Sequence, residues 1–272
     1  MSSSSPARLN GVKAPKGGNV PTYALDQVRG GRGRGFRATI LLVAGAVAAW
    51  AVTIYRMRGM DAGPGTELEG LGWYLGIWVP MTAAMMLPSA TPTAARVARL
   101  ARRMPTALFV TGYLAVWTVY GLAAYGLYRF IGSVDTGWLA WDERGPYVAG
   151  AAIAAAGIYE LTPVKRRSLR RCQCARHRGS ALESGVGHGV DCVTCSAALM
   201  AVLYVLGVMS LFWMALVAVA IFAEKVLPVG ARLTAPLAVG LVALGIWVGV
   251  SPGTVPGLTQ PGDASPSMEM GS

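Results

Sequence analysis

The 272-residue chain is 54% hydrophobic and 14% charged, yet it carries a formal net charge of +11. A soluble domain holds about 25% charged residues, so the composition excludes an ordinary water-soluble fold and indicates a membrane chain. The arginines fall in short stretches between long apolar runs, which makes anionic lipid headgroups, not nucleic acid, the expected counter-charge.

Residues 1–37 are rich in Ser, Gly, Pro and Arg and read as a disordered, basic cytosolic arm. No secretory signal is readable, because more than 30 polar residues precede the first apolar run. The tract from Arg29 to Arg37 loosely resembles an Arg/Gly nucleic-acid segment, but its place before a span favours lipid anchoring. The region 38–250 reads as an all-α, polytopic transmembrane helix bundle of about six spans. These are expected near 38–55, 71–88, 106–128, 146–161, within 196–223, and 235–250, with a disordered tail over 251–272. The fifth run is long for one crossing and short for two, so a tilted or interrupted helix is expected there.

Loop charge orients the set. Arg34 and Arg37, then Arg96, Arg99, Arg102 and Arg103, then Lys165 to Arg178 alternate with acidic or mixed connections such as Asp61 to Glu69. The positive-inside rule then places both termini in the cytosol of a bacterial inner-membrane protein. The run from Gly150 to Gly157 is built of Gly, Ala and Ile, a surface that lets neighbouring helices approach closely. Trp73, Tyr74 and Trp78 are expected in an interfacial aromatic belt.

All four cysteines, Cys172, Cys174, Cys192 and Cys195, and both histidines, His177 and His188, fall within one connection expected to be a cytosolic loop over 163–195. The spacing is C-x-C followed by C-x-x-C. A reducing compartment disfavours structural disulfides. Thiolates with imidazoles suit Zn(II), and thiolates alone suit Cu(I). A redox pair and plain apolar packing stay open as alternatives.

Soft thioethers cluster as well, with Met81, Met85 and Met86 in one span and Met200, Met209 and Met214 in another. Thioethers can hold Cu(I) without adding charge, although methionine also fills irregular gaps between helices. Glu160, at the end of a span, is either a functional carboxylate or an anchor paired with Lys165 or Arg166. Glu224 and Lys225 can meet headgroups or act in a site. No nucleoside triphosphate loop, HExxH or nucleophile–base pair is readable, which weighs against an enzyme.

Three blocks carry a family resemblance. WVPMTAAMMLPSA from Trp78 to Ala90, YELTPVK from Tyr159 to Lys165, and GVDCVTC from Gly189 to Cys195, continuing to Glu224 and Lys225, together resemble the DUF2182 family. That resemblance implies an integral membrane protein with a metal role, of the kind labelled copper chaperone. The chain departs from the family pattern at Ser168 and Ser196, where cysteines are usual, and so retains Cys172, Cys192 and Cys195 as the principal thiols. The expected function is therefore binding or passing Cu(I), with Zn(II) as the alternative. A metal donor or acceptor protein would be its partner. A non-catalytic subunit of a larger membrane complex and a metal transporter are the competing readings.

Overall fold

The computed structural model describes residues 22–58, 70–100, 106–133, 145–174, 179–206, 210–227 and 230–255. Eight α-helices build it, and no strand occurs among the described residues. They are α1 (Thr22–Met57), α2 (Leu71–Leu100), α3 (Thr106–Ser133), α4 (Gly145–Glu160), α5 (Pro163–Gln173), α6 (Ala181–Leu206), α7 (Leu211–Val226) and α8 (Gly230–Val250). Among the described residues five helices are long and apolar enough to cross a membrane, and six if the bent pair α4–α5 counts as one span. Large apolar side chains such as Leu41, Val47, Phe130, Val239 and Ile246 point outward. Water would not tolerate so continuous an apolar exterior, whereas lipid does. The chain is an all-α, polytopic membrane helix bundle.

Helices α1 and α2 form an antiparallel pair. Arg34 Nε donates to the Ala98 carbonyl at 3.3 Å, and Gly35 faces Arg99. Helix α1 therefore starts at Thr22 and continues through residues 22–37, where a disordered arm was expected. Helix α3 runs back along α2, with Trp78 Nε1 donating to the Trp117 carbonyl at 3.0 Å and Tyr74 Oη to the Gly121 carbonyl at 2.9 Å. These two aromatic residues are almost completely buried, so they are core and not interfacial belt. With Tyr120, Tyr125 and Tyr204 they fill one end of the bundle.

Helix α6 lies parallel to α3 on a glycine face. A Cβ on Gly185 would stand 2.1 Å from the Phe109 carbonyl oxygen, and one on Gly189 would stand 2.9 Å from Val116 Cβ. The expected loop over 163–195 is accordingly two helices, α5 and the first half of α6, joined by a short connection. The fifth expected span is also two helices, since α7 follows α6 antiparallel and brings Lys225 back to Cys192.

Helix α8 packs antiparallel on α4, backbone to backbone. A Cβ on Gly150 would lie 2.3 Å from the Gly245 carbonyl oxygen, and one on Gly245 would lie 2.5 Å from that of Gly150. Gly150→Leu should therefore force the pair apart and destabilise the bundle by about 3 kcal/mol, the upper part of the usual overpacking range. Gly240→Leu, where nothing stands within 4 Å, should be close to neutral. Thermal unfolding in detergent micelles compares the two.

The end of α8 lies beside the start of α4, whereas Arg34 lies beside the end of α2, level with α5. The described chain ends thus sit at opposite ends of the bundle.

Candidate functional site

Proline and a side-chain cap create the platform on which the site is built. Pro163 cannot continue α4, and the chain bends by 63° into α5. The Thr162 hydroxyl caps the new helix by accepting from the Lys165 backbone N–H at 3.3 Å. Residues Lys165, Ser168, Leu169 and Cys172 fall at helical spacing on one face of α5, and that face is buried. The other face is arginine-rich and exposed. The far end of α5 is tied to two neighbours. Thr93 Oγ1 donates to the Cys172 carbonyl at 3.5 Å, and Gln173 Nε2 donates to the Glu224 carbonyl at 3.1 Å.

This arrangement carries Cys172 to Cys192 and Cys195, which stand one turn apart on α6. All three cysteines are free and buried, and their thiols lie within side-chain interaction range of one another. Cys192 is the best connected. Lys225 Nζ donates to its Sγ at 2.8 Å, and the Tyr113 hydroxyl lies 2.9 Å away. That hydroxyl also donates to the Met86 carbonyl at 3.4 Å, which ties α2, α3 and α6 at one point. Cys195 Sγ donates to the Cys192 carbonyl at 3.3 Å. Tyr113 is seven residues into α3, roughly 10 Å along the helix axis, so the thiols sit inside the bundle and not in an external loop.

A second buried cluster adjoins the first. Lys165 Nζ lies 2.5 Å from Glu160 Oε2 and 2.8 Å from Glu224 Oε2, with all three side chains shielded from solvent. Among the described residues nothing donates a hydrogen bond to Glu160 Oε1 or Glu224 Oε1. Two carboxylates therefore share one ammonium, and the Lys225 ammonium on the following residue faces the sulfur. The four charged groups sum to zero, so the thiols sit beside a neutral, ordered set of charges. This set is what allows ionic side chains to persist in an apolar bundle.

The remaining candidates are placed as follows. His188 is buried on α6, one turn before Cys192, with its ring stacked on Tyr113 at 5.6 Å between centroids. Glu160 belongs to the lysine cluster. Cys174 is exposed at the end of α5. Met81, Met85 and Met86 are buried on α2, and Met200 and Met214 on α6 and α7. His177 and Met209 lie outside the described residues. Among the described residues, no group of three or more His, Cys, Asp and Glu side chains is placed to hold a metal ion. The thiols are therefore neighbours without converging on a common point, and a tetrahedral donor set is not assembled. A linear Cu(I) dithiolate asks less, needing only two soft sulfurs. The donor chemistry of the pocket, buried sulfur with an adjacent ammonium, fits that ion.

Tyr113 carries no sequence signal, because nothing distinguishes it from other aromatic residues in a span. Lys165 and Lys225 do have one. The chain holds four lysines among its 24 basic residues, and these two are its only lysines beyond position 16. Both lysines among the described residues are buried.

Residues 75–248 match the PpoB2 family, described as copper chaperone. The match spans well over half of the chain, and the chain belongs to that family. This assignment replaces the expected DUF2182 membership. No curated protein and no solved structure matches the chain.

Proposed function

We propose that this member of the PpoB2 copper chaperone family takes up Cu(I) on two of the three thiols Cys172, Cys192 and Cys195, and passes it on. The observation that carries this reading is that cysteines from two separate helices are buried as neighbours, with Lys225 set against the central sulfur. A Cu(I) dithiolate bears a net negative charge, and in an apolar interior that charge requires a nearby cation. Lys225 supplies it. Tyr113 orients the Cys192 sulfur from the opposite helix, and the Lys165 cluster holds Glu224, and with it the end of α7, in place.

Copper is favoured over zinc because sulfur is the donor at hand and His188 is engaged in ring stacking. The buried thioethers of Met81, Met85, Met86 and Met214 would give the ion a neutral onward path through α2 and α7, which pack together. Metal analysis of the detergent-purified chain tests the assignment. The wild type should carry Cu(I), and the Cys172/Cys192/Cys195 triple serine variant should carry none. Equal copper in the two samples would remove the thiols from the function.

The site sits at the arginine-rich end of the bundle, so the positive-inside rule places it toward the cytosol of a bacterial inner membrane, where anionic lipids would meet the exposed arginines of α5. With α1 entering from that side, the end of α8 emerges on the other. Alkaline phosphatase fused after Thr254 should be active, and the same enzyme fused ahead of α1 should be inactive. Activity at neither position would contradict the antiparallel return of α7.

A further inference from the structure

We propose that the cavity beside Cys172 is the receiving port of the site, and that it takes Cu(I) as an anionic complex with small thiolate molecules, recognised by Arg96. This inference rests on the thiol reading above. The cavity has a volume of about 300 Å³, and its walls include Ser89, Thr93, Arg96, Cys172, Gln173 and Lys225. That is the lower end of the size range of small-molecule sites, and it is enough for one arm of a thiolate carrier. Cys172 is the one cysteine among the lining residues, whereas Cys192 and Cys195 lie behind it. Cargo arriving by this route meets Cys172 first.

The charge of the port selects the form in which copper can arrive. A guanidinium and an ammonium line it, and no carboxylate is among its lining residues. A bare cation would be repelled on entry, and an anionic dithiolate complex would be drawn in. Arg96 is exposed at the rim, with Nη1 donating to the Gln173 carbonyl at 3.3 Å. A guanidinium has five N–H donors, and this bond uses one. Its fork geometry matches the carboxylates that small biological thiols commonly carry.

The exchange balances without an added reagent. Cys172 Sγ bonds to copper as the first carrier thiolate leaves, and the Cys172 proton goes to that leaving sulfur. Cys192 then displaces the second carrier thiolate in the same way. Two Cu–S bonds break and two form, two protons pass to the carriers, and copper stays Cu(I). The single negative charge of the copper dithiolate passes from the carrier complex to the buried thiols, where the Lys225 ammonium stands against the Cys192 sulfur.

The full chain in detergent, carrying Cys174→Ser to remove the exposed thiol, is loaded from two donors. One is the anionic Cu(I)–glutathione complex, and the other is the cationic acetonitrile complex of Cu(I). Arg96→Gln should slow loading from glutathione on the order of tenfold and should not slow loading from acetonitrile. Arg96→Lys should restore most of the rate. In a metal-free readout, S-methylglutathione should protect Cys172 from maleimide in the wild type and not in Arg96→Gln. Equal slowing with both donors, or absence of slowing with absence of protection, would each overturn the proposal. Failure of the wild type to take copper from either donor would instead overturn the copper reading, while the protection assay would still report on the port.

Discussion

Lys165→Met should destabilise the folded chain by about 3–5 kcal/mol, the range found when one partner of a buried ionic set is removed. Lys165 has no exposed surface, and it is the ammonium that faces both Glu160 and Glu224. Its loss leaves two carboxylates side by side in an apolar interior, each with an oxygen that already accepts no hydrogen bond from the described residues. Repulsion and desolvation then act in the same direction. Glu224 is displaced first, because it lies at the end of α7, and Lys225 moves with it away from Cys192. Adding Glu160→Gln and Glu224→Gln to Lys165→Met should recover most of the loss, since replacing a whole buried ionic set with neutral groups is often close to neutral. Equilibrium unfolding in micelles of the single and triple variants decides the matter. Equal instability in both would mean that packing of the lysine stem, and not its charge, is what matters.

The bundle was legible in the sequence because its spans are apolar runs of membrane length separated by charge. Two features were hidden, each for a physical reason. The start of α6, with Gly185, Gly187 and Gly189, has poor helix propensity and reads as a loop. In the structure Gly185 and Gly189 are the faces on which α6 meets α3 at backbone contact, and tertiary packing overrides propensity. This places Cys192 and Cys195 inside a span and not in a cytosolic connection. An interruption of this run was legible at Gly207, but the full reversal from α6 to α7 was not, because residues 207–210 contain neither proline nor charge. Without that reversal Lys225 is expected on the face opposite the cysteines, where it can meet headgroups. The thiol set itself was legible, since the grouping of all cysteines in one segment needs no tertiary information. The ammonium that completes it depended on the fold.

Within that site the cysteines should not be equivalent. Cys192→Ser should weaken Cu(I) binding by more than about a hundredfold, because groups that only support a ligand already account for 10- to 100-fold. Cys192 is the thiol reached by Lys225, Tyr113 and the neighbouring cysteines together. Its loss removes a donor and leaves the Lys225 ammonium facing a hydroxyl. Lys225→Met and Tyr113→Phe keep all the sulfurs and remove only their partners, so each should fall within the 10- to 100-fold band. Cys174→Ser should change nothing, since Cys174 is exposed at the end of α5 and apart from the buried set. Competition against a chromophoric Cu(I) chelator ranks the four variants on one scale. A Cys192 variant that binds as well as Cys174→Ser would move the cargo away from the buried thiols. A Lys225 variant with unchanged affinity would show instead that the copper dithiolate is compensated elsewhere, leaving the lysine a role in joining α7 to α6.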